Sequence, residues 1–325
     1  MTMIRALRTA ALVGVAVAAL HPVAAQEFPS KPLRIISAYP TGISPDIATR
    51  VVADQLSRAW NQQVIVDPRP GGNGFIAIGA AKRAPADGYE LLLVGVAHLA
   101  VNPNLFKSVP YDPETDFAPV SPIYRTRFLV VVSTSGPYRT IGDLITAAKS
   151  APEKVSYSSP YVGSPPHFGG ALLAHLTGTQ MLHVPFKEGP QLYTAVANGD
   201  VSFSVASAGS AAPLVKAGKL KYLLAAAPSR LATLPDVPTA AEVGLPGYEV
   251  DAWIGLVAPR GTPAEIVQRL NREVARALAQ PETQERFRGL GVEPAPASPA
   301  QMAEMIRADL QRYRELVKQT GIKAE

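Results

Sequence analysis

The chain has 325 residues, of which 47% are hydrophobic and 18% charged, with a formal net charge of +5 and no cysteine. That length allows two domains with a core each, and the composition is that of a globular protein rather than a disordered or fibrous one. Without cysteine there is no thiolate catalysis, iron–sulfur cluster or thiolate zinc site, and the scattered Lys and Arg argue against nucleic acid as a partner.

Residues 1–25 read as a cleaved secretory leader. Arg5 and Arg8 form a positive start, residues 9–20 are apolar but too short to span a bilayer, and Val23-Ala24-Ala25 fits a small-residue cleavage site. Cleavage there removes two Arg and no acid, taking +5 to +3 in a mature chain that begins at Gln26. No later apolar run approaches twenty residues, so nothing else is expected to cross a membrane.

A short apolar run at Leu33, Ile35 and Ile36 predicts a buried strand that stops at Tyr39-Pro40-Thr41-Gly42, a turn-forming cluster. Ser44-Pro45-Asp46 follows as a helix start, with Ser44 expected as N-cap and Pro45 at the first helical position. Strand, tight loop and helix N-terminus together place backbone N–H groups and the positive end of a helix dipole in one loop, which suits a carboxylate or phosphate. The same pattern also serves as an ordinary β-to-α connection.

Ile47, Val51, Leu56 and Trp60 give the next helix a broad apolar face, and residues 64–66 predict a second strand. The loop from Arg69 to Gly74 is glycine-rich but lacks the spacing and Lys-Ser/Thr ending of a nucleotide-binding loop. A helix over 77–83 and a strand over 91–95 lead to Val96-Ala97-His98 and then to a Pro-rich connection through Tyr111-Asp112-Pro113 and residues 116–119. Residues 128–132 form a strong strand, and Thr140 with Asp143 has capping-box spacing.

A second alternating series runs through strands over 155–157, 181–184, 201–205 and 220–226, with helices over 165–176, 191–197 and 210–217 between them. Within it, Ser158-Ser159 ends a strand, residues 160–163 form a loop, and Ser164-Pro165 starts a helix. Two corners of one kind, one in each half, predict a cleft between two lobes with donors on both walls. Residues 253–258 read as a strand returning to the first lobe. Thr262-Pro263-Ala264-Glu265 reads as a capping box before a helix with a stripe of Ile266, Val267, Leu270, Val274, Ala277 and Leu278. A last helix capped by Ser298-Pro299 buries Met302, Met305, Ile306, Leu310, Tyr313 and Val317, read as core packing and not as a ligand box.

Across nearly its whole mature length the chain resembles the Bug-type, or TctC-like, substrate-binding receptors of tripartite tricarboxylate transport. The matching pieces include Phe28-Pro29-Ser30-Lys31-Pro32, Tyr39-Pro40 with Asp46, Arg69-Pro70-Gly71, Asp87-Gly88-Tyr89, Tyr111-Asp112-Pro113, Gly163-Ser164 with His167, His183-Val184-Pro185-Phe186-Lys187, and residues 234–239 and 244–248. The resemblance implies an α/β, type II periplasmic binding protein fold of two lobes, each a largely parallel sheet flanked by helices. It implies a first lobe over 26–127 plus 253–325 and a second over 128–252, joined by two crossover strands. The implied protein is a monomer without cofactor or metal that closes on a small carboxylate and passes it to integral-membrane transporter subunits.

On the same resemblance the first lobe would offer Tyr39, Thr41, Gly42, Ile43, Ser44, Asn73, Phe75 and His98 to the ligand. The second would offer Ser158, Ser159, Gly163, Ser164, His167, Phe186, Lys187, Ala206 and Ser207. Three positions depart from the family pattern: Thr41-Gly42-Ile43 stands for Pro-Gly-Gly, Phe75 for Asn, and Ala206 for Asp. These exchanges suggest a ligand less polar than citrate or an acidic amino acid, such as an aromatic or branched monocarboxylate. His98 and His167 are read either as ligand contacts or as partners of loop backbone, and His175 and His183 as residues in or near the second-lobe core. Two other functions are kept: a receptor that presents its ligand to a signalling partner, and an exported hydrolase using Ser164, Ser207 or Ser210. No Gly-x-Ser-x-Gly elbow or His-Glu-x-x-His pattern supports the hydrolase.

Overall fold

The computed structural model describes residues 28–186 and 189–323; the expected leader and Lys187 lie outside them. The chain opens with β1 (Leu33–Ser37), α1 (Ser44–Trp60), β2 (Val64–Pro68), α2 (Phe75–Lys82) and β3 (Glu90–Gly95). A π-helical turn, Ala97–Val101, leads into α3 (Asn102–Leu105) and the long β4 (Phe117–Ser133). The second series is α4 (Ile141–Ser150), β5 (Ser156–Ser159), α5 (Pro165–Thr177), β6 (Leu182–Pro185), α6 (Gly189–Asn198), β7 (Phe203–Ser207), α7 (Ala208–Lys216) and β8 (Leu220–Ala225). The chain returns through β9 (Asp251–Pro259), α8 (Ala264–Ala279), α9 (Pro281–Leu290), β10 (Glu293–Pro294) and α10 (Pro299–Thr320).

The architecture is α/β with two lobes, as the alternation predicts. In the first, β2, β1 and β3 are parallel, and β9 then β4 continue the sheet antiparallel, with β10 also on β4. In the second, β6, β5 and β7 are parallel, and β4 and β8 are antiparallel additions. Each sheet is therefore mixed, with a parallel heart. The returning strands account for the rest, because a strand crossing between sheets meets neighbours running the other way.

β4 belongs to both sheets: residues 117–127 pair with β9, and residues 128–133 with β7 and β8. Residues 116–119, expected as a connection, are in fact mostly strand. Pro119 and Pro122 give the stretch the look of a loop because proline cannot donate to a ladder; here the pairing shifts register next to both of them. Apolar side chains fill both faces of the first sheet, with Leu33, Ile35, Leu91 and Leu256 on one face and Ile36, Leu92, Val94 and Val257 on the other. Val130, Val132, Tyr157, Phe203 and Leu224 anchor the core of the second.

Four helix starts can be set against expectation. The box at Thr140–Asp143 forms as predicted, and at α10 the expected Ser298 cap proves to be a full box with Gln301. At α8 no side chain caps the helix: Pro263 takes the cap position, and the Thr262 hydroxyl donates to the Pro259 carbonyl instead. At α1 the cap position is Ile43, with φ −91° and ψ 164°, so Ser44 is the first helical residue. Asp46 does the work there, its carboxylate accepting from the Gly42 N–H at 2.9 Å and pairing with Arg50 at 3.0 Å.

Helix α10 ties the lobes to the crossover. Asp309 accepts from the Trp253 indole N–H at 2.7 Å, and Arg312 donates to Asp251 at 2.8 Å, both partners lying on β9. Tyr313 then meets Phe168 of α5 edge-on, with ring centroids 5.2 Å apart.

Candidate functional site

In an open α/β sheet, ligands bind beyond the carboxyl ends of the strands, where strand order reverses. In the first sheet β1 lies between β2 and β3, and in the second β5 lies between β6 and β7. The loops after β1 and β3, and those after β5 and β7, carry most of the candidate residues. Topology alone thus gathers them into two clusters, one per lobe.

In the first cluster Tyr39 is partly buried and meets His98 edge-on, ring centroids 5.0 Å apart. His98 sits in the π-helical turn, a distortion often found at functional sites. Its Nδ1 accepts from the Gly95 N–H at 3.3 Å, which puts the ring proton on Nε2. The Tyr111 hydroxyl donates to its carbonyl. The ring lies where a side chain at position 74 would be, with Nε2 2.7 Å from the site of a Cβ, so only glycine fits there. Burial lowers His98 to a pKa of about 4, so the imidazole is neutral near pH 7.

The rest of this wall is more open. Thr41, Gly42 and Ile43 are exposed, and Ser44 is partly so. Asn73 has φ 52° and lends its carbonyl to the Asn102 side-chain amide at 2.8 Å. Phe75 packs against Phe106 and Tyr111, with centroids 5.6 Å and 6.0 Å away.

The second cluster repeats the first. Gly163 N–H donates to His167 Nδ1 at 3.1 Å, again leaving the proton on Nε2, and Ser164 caps α5 by accepting from the His167 N–H. His167 stacks on His183 with centroids 3.8 Å apart and planes 7° apart. Burial and the neighbouring imidazole lower His167 to about 3, and burial lowers His183 to about 4. Ser159 accepts from His183 Nε2 at 2.7 Å while its own hydroxyl donates to the Tyr161 carbonyl at 3.1 Å, an orientation that fixes the His183 tautomer.

Ser158 is fully buried and its hydroxyl has no hydrogen-bond partner. The Phe186 N–H bonds to the Ser159 carbonyl, and its ring packs on the cluster of Val196 and Val201. Ala206 is fully buried with Val131 and Ala211. Ser207 caps α7 and shares a hydroxyl chain with Ser210, at 2.8 Å, and Tyr193, at 2.7 Å from Ser210.

The two clusters meet. Burial, together with the nearby Tyr161 and Tyr124 hydroxyls, pushes the Tyr39 phenol well above its ordinary value. Gly163 abuts Leu105 and Val101 of the first lobe. Ile43 and Ile47, 41% and 37% exposed, and Tyr161, 44% exposed, add apolar surface at these corners. Of the three departures from the family pattern, only the Thr41-Gly42-Ile43 loop is exposed. Phe75 and Ala206 pack into the lobes.

Three residues of these clusters were not among the candidates. The sequence places His183 in or near the second-lobe core, offers Ser210 only as a hydrolase nucleophile and gives no sign of Tyr193; the Ser207–Ser210 spacing of a helix cap is the available signal. His175, by contrast, is exposed and not near the core. Among the described residues there is no group of three or more His, Asp or Glu that could hold a metal ion, and no helix long and apolar enough to cross a membrane.

Residues 48–322 match the model of the family described as tripartite tricarboxylate transporter family receptor. A UPF0065 protein of Bordetella bronchiseptica is 35% identical over 97% of this chain and 94% of its own. The structure of Rhodopseudomonas palustris Rpa4515 with adipate aligns at a TM-score of 0.83 and 32% identity, covering 91% of this chain and 99% of that one. MatC of the same organism, with bound malate, aligns at 0.79 and 28% identity over 89% of this chain and 100% of its own.

Proposed function

The chain belongs to the tripartite tricarboxylate transporter receptor family, and on that premise we propose that it captures a small carboxylate between its lobes and delivers it to a membrane transporter. The lobes of this reading are residues 26–127 plus 253–325 and residues 128–252, and it acts in the periplasm after its leader is removed. The observation that carries it is the matched pair of corners. Each offers a strand end, a loop, a helix start and a neutral histidine with its proton on Nε2. Such groups donate to a carboxylate without adding charge, and hydrogen bonds to a charged group contribute about 1.5–3 kcal/mol each.

Ile43, Ile47 and Tyr161 favour a ligand with an apolar body over a densely polar one. Adipate and malate, bound by the two relatives, span that range and make natural probes. The test is a thermal-shift screen of the mature protein against aliphatic and aromatic mono- and dicarboxylates. A ligand at about 100 times its Kd stabilises by about 2.7 kcal/mol, a shift of several degrees. Citrate or malate outranking every less polar acid contradicts the apolar preference, and no response to any acid contradicts the carboxylate reading.

Among the described residues, the close Ser159–His183 pair is the feature that favours a hydrolase. Ser159, however, is fully buried, and its proton points to the Tyr161 carbonyl and not to the imidazole. A general base would need the reverse arrangement.

A further inference from the structure

The lobes touch at a second place, away from the two histidines. Gly209, in the first turn of α7, lies against the end of α9, where Leu290 is the last helical residue and Gly291 the cap. A Cβ on Gly209 would overlap the Leu290 carbonyl group, 2.6 Å from its carbon, and come within 3.1 Å of the Gly291 nitrogen. A Cβ on Gly291 would fall 2.8 Å from the Gly209 Cα. Neither overlap can be relieved by turning a side chain, because both neighbours are backbone. α7 packs on β7 and β8 of the second sheet and α9 on α1 and α8 of the first, so the contact joins the lobes.

We propose that Gly209 and Gly291 are positioning residues for ligand capture, forming a bare-backbone seat that lets the lobes close fully. This rests on the receptor reading above. The N-terminal end of α7 carries a partial positive charge and the C-terminal end of α9 a partial negative one, so the two ends attract when they meet. Seating them brings Ser207, two residues from Gly209, toward the first lobe. A groove of about 210 Å3, lined by Arg127, Ala208, Leu231, Gln284, Arg288 and Glu293, runs beside the contact. At Gly163, where the lobes also touch, the neighbours are the Leu105 and Val101 side chains, which can adjust.

Gly209 offers a clean test because its φ is not in the left-handed region, so alanine suits the helix better than glycine does. A Gly209→Ala variant should unfold at the same temperature as the parent or higher, yet close less. The chain has no cysteine, so Lys149→Cys in α4 and Gln268→Cys in α8, both exposed, accept spin labels at defined places. Distances between the labels are measured by double electron–electron resonance, without ligand and with saturating adipate. The parent should show a short-distance population that Gly209→Ala depletes about tenfold, with apparent Kd for adipate rising by the same factor. Gly289→Ala, with open space around it on α9, should match the parent in both. Parent and Gly209→Ala showing the same distances, or Gly289→Ala opening the lobes equally, overturns the proposal. If adipate fails to bind the parent while Gly209→Ala still lengthens the distance, the choice of ligand fails and the seat stands.

Discussion

His98 makes the stability of this protein depend on acid in a way that can be isolated. In the folded chain its pKa is about 4, against about 6.5 for an ordinary histidine, because it is buried with its Nδ1 lone pair already taken by the Gly95 N–H. The unfolded chain therefore binds the proton first as pH falls. The contribution of His98 is complete above about pH 6.5 and is lost on the way down to about 4. Between pH 7 and 4.5 the two pKa values imply a loss of about 2 kcal/mol from this residue alone. His98→Asn retains an acceptor for the Gly95 N–H and does not titrate. Urea unfolding of parent and variant at both pH values gives a double difference in which the carboxylates cancel. The variant should lose about 2 kcal/mol less than the parent over that interval. An equal loss in both proteins would refute the burial of a neutral imidazole at position 98.

Other substitutions probe the supports of the two corners. Asp46→Asn removes the charge that holds both the Gly42 N–H and Arg50, and should cost about 1–3 kcal/mol in urea unfolding. Ser159→Ala leaves His183 Nε2 without its acceptor; since His183 is partly exposed, a loss of about 1 kcal/mol is expected from the same assay. Trp253→Phe strands the partly buried Asp309 carboxylate, whose pKa burial already raises, and should lower stability by about 1–3 kcal/mol at pH 7 with a smaller penalty under acid, where the carboxyl takes up a proton.

Much of the fold was legible because alternation writes itself into the chain. The buried stripes of α8 and α10, the capping box at Thr140 and the cap at Ser298 fall where periodicity and capping chemistry put them. Prolines concealed the start of β4, since a strand that tolerates Pro119 and Pro122 through register shifts looks like a loop. The start of α1 was misplaced by one residue, because Ser-Pro-Asp satisfies two cap registers and only the Gly42–Asp46 bond selects between them.

At the site, the corner loops with His98 and His167 were readable from strand ends and helix starts. What no single stretch carries is contact between distant residues. The stacking of His167 on His183, the Tyr39–Tyr161 proximity and the Gly209–Gly291 seat each join segments far apart in the chain, and periodicity is silent about them. Phe75 and Ala206 show the converse. Both are cleft positions by resemblance, whereas in the structure Phe75, partly buried, packs edge-on against Phe106 and Ala206 is buried beside Val131.

The most direct test of the carboxylate reading is a crystal structure of the mature protein with its best-binding acid from the thermal-shift panel. The expected result is a carboxylate group between the lobes, within hydrogen-bonding reach of residues 41–44 on one side and 159–167 on the other. A ligand bound elsewhere on the surface, with these two corners empty, would contradict it.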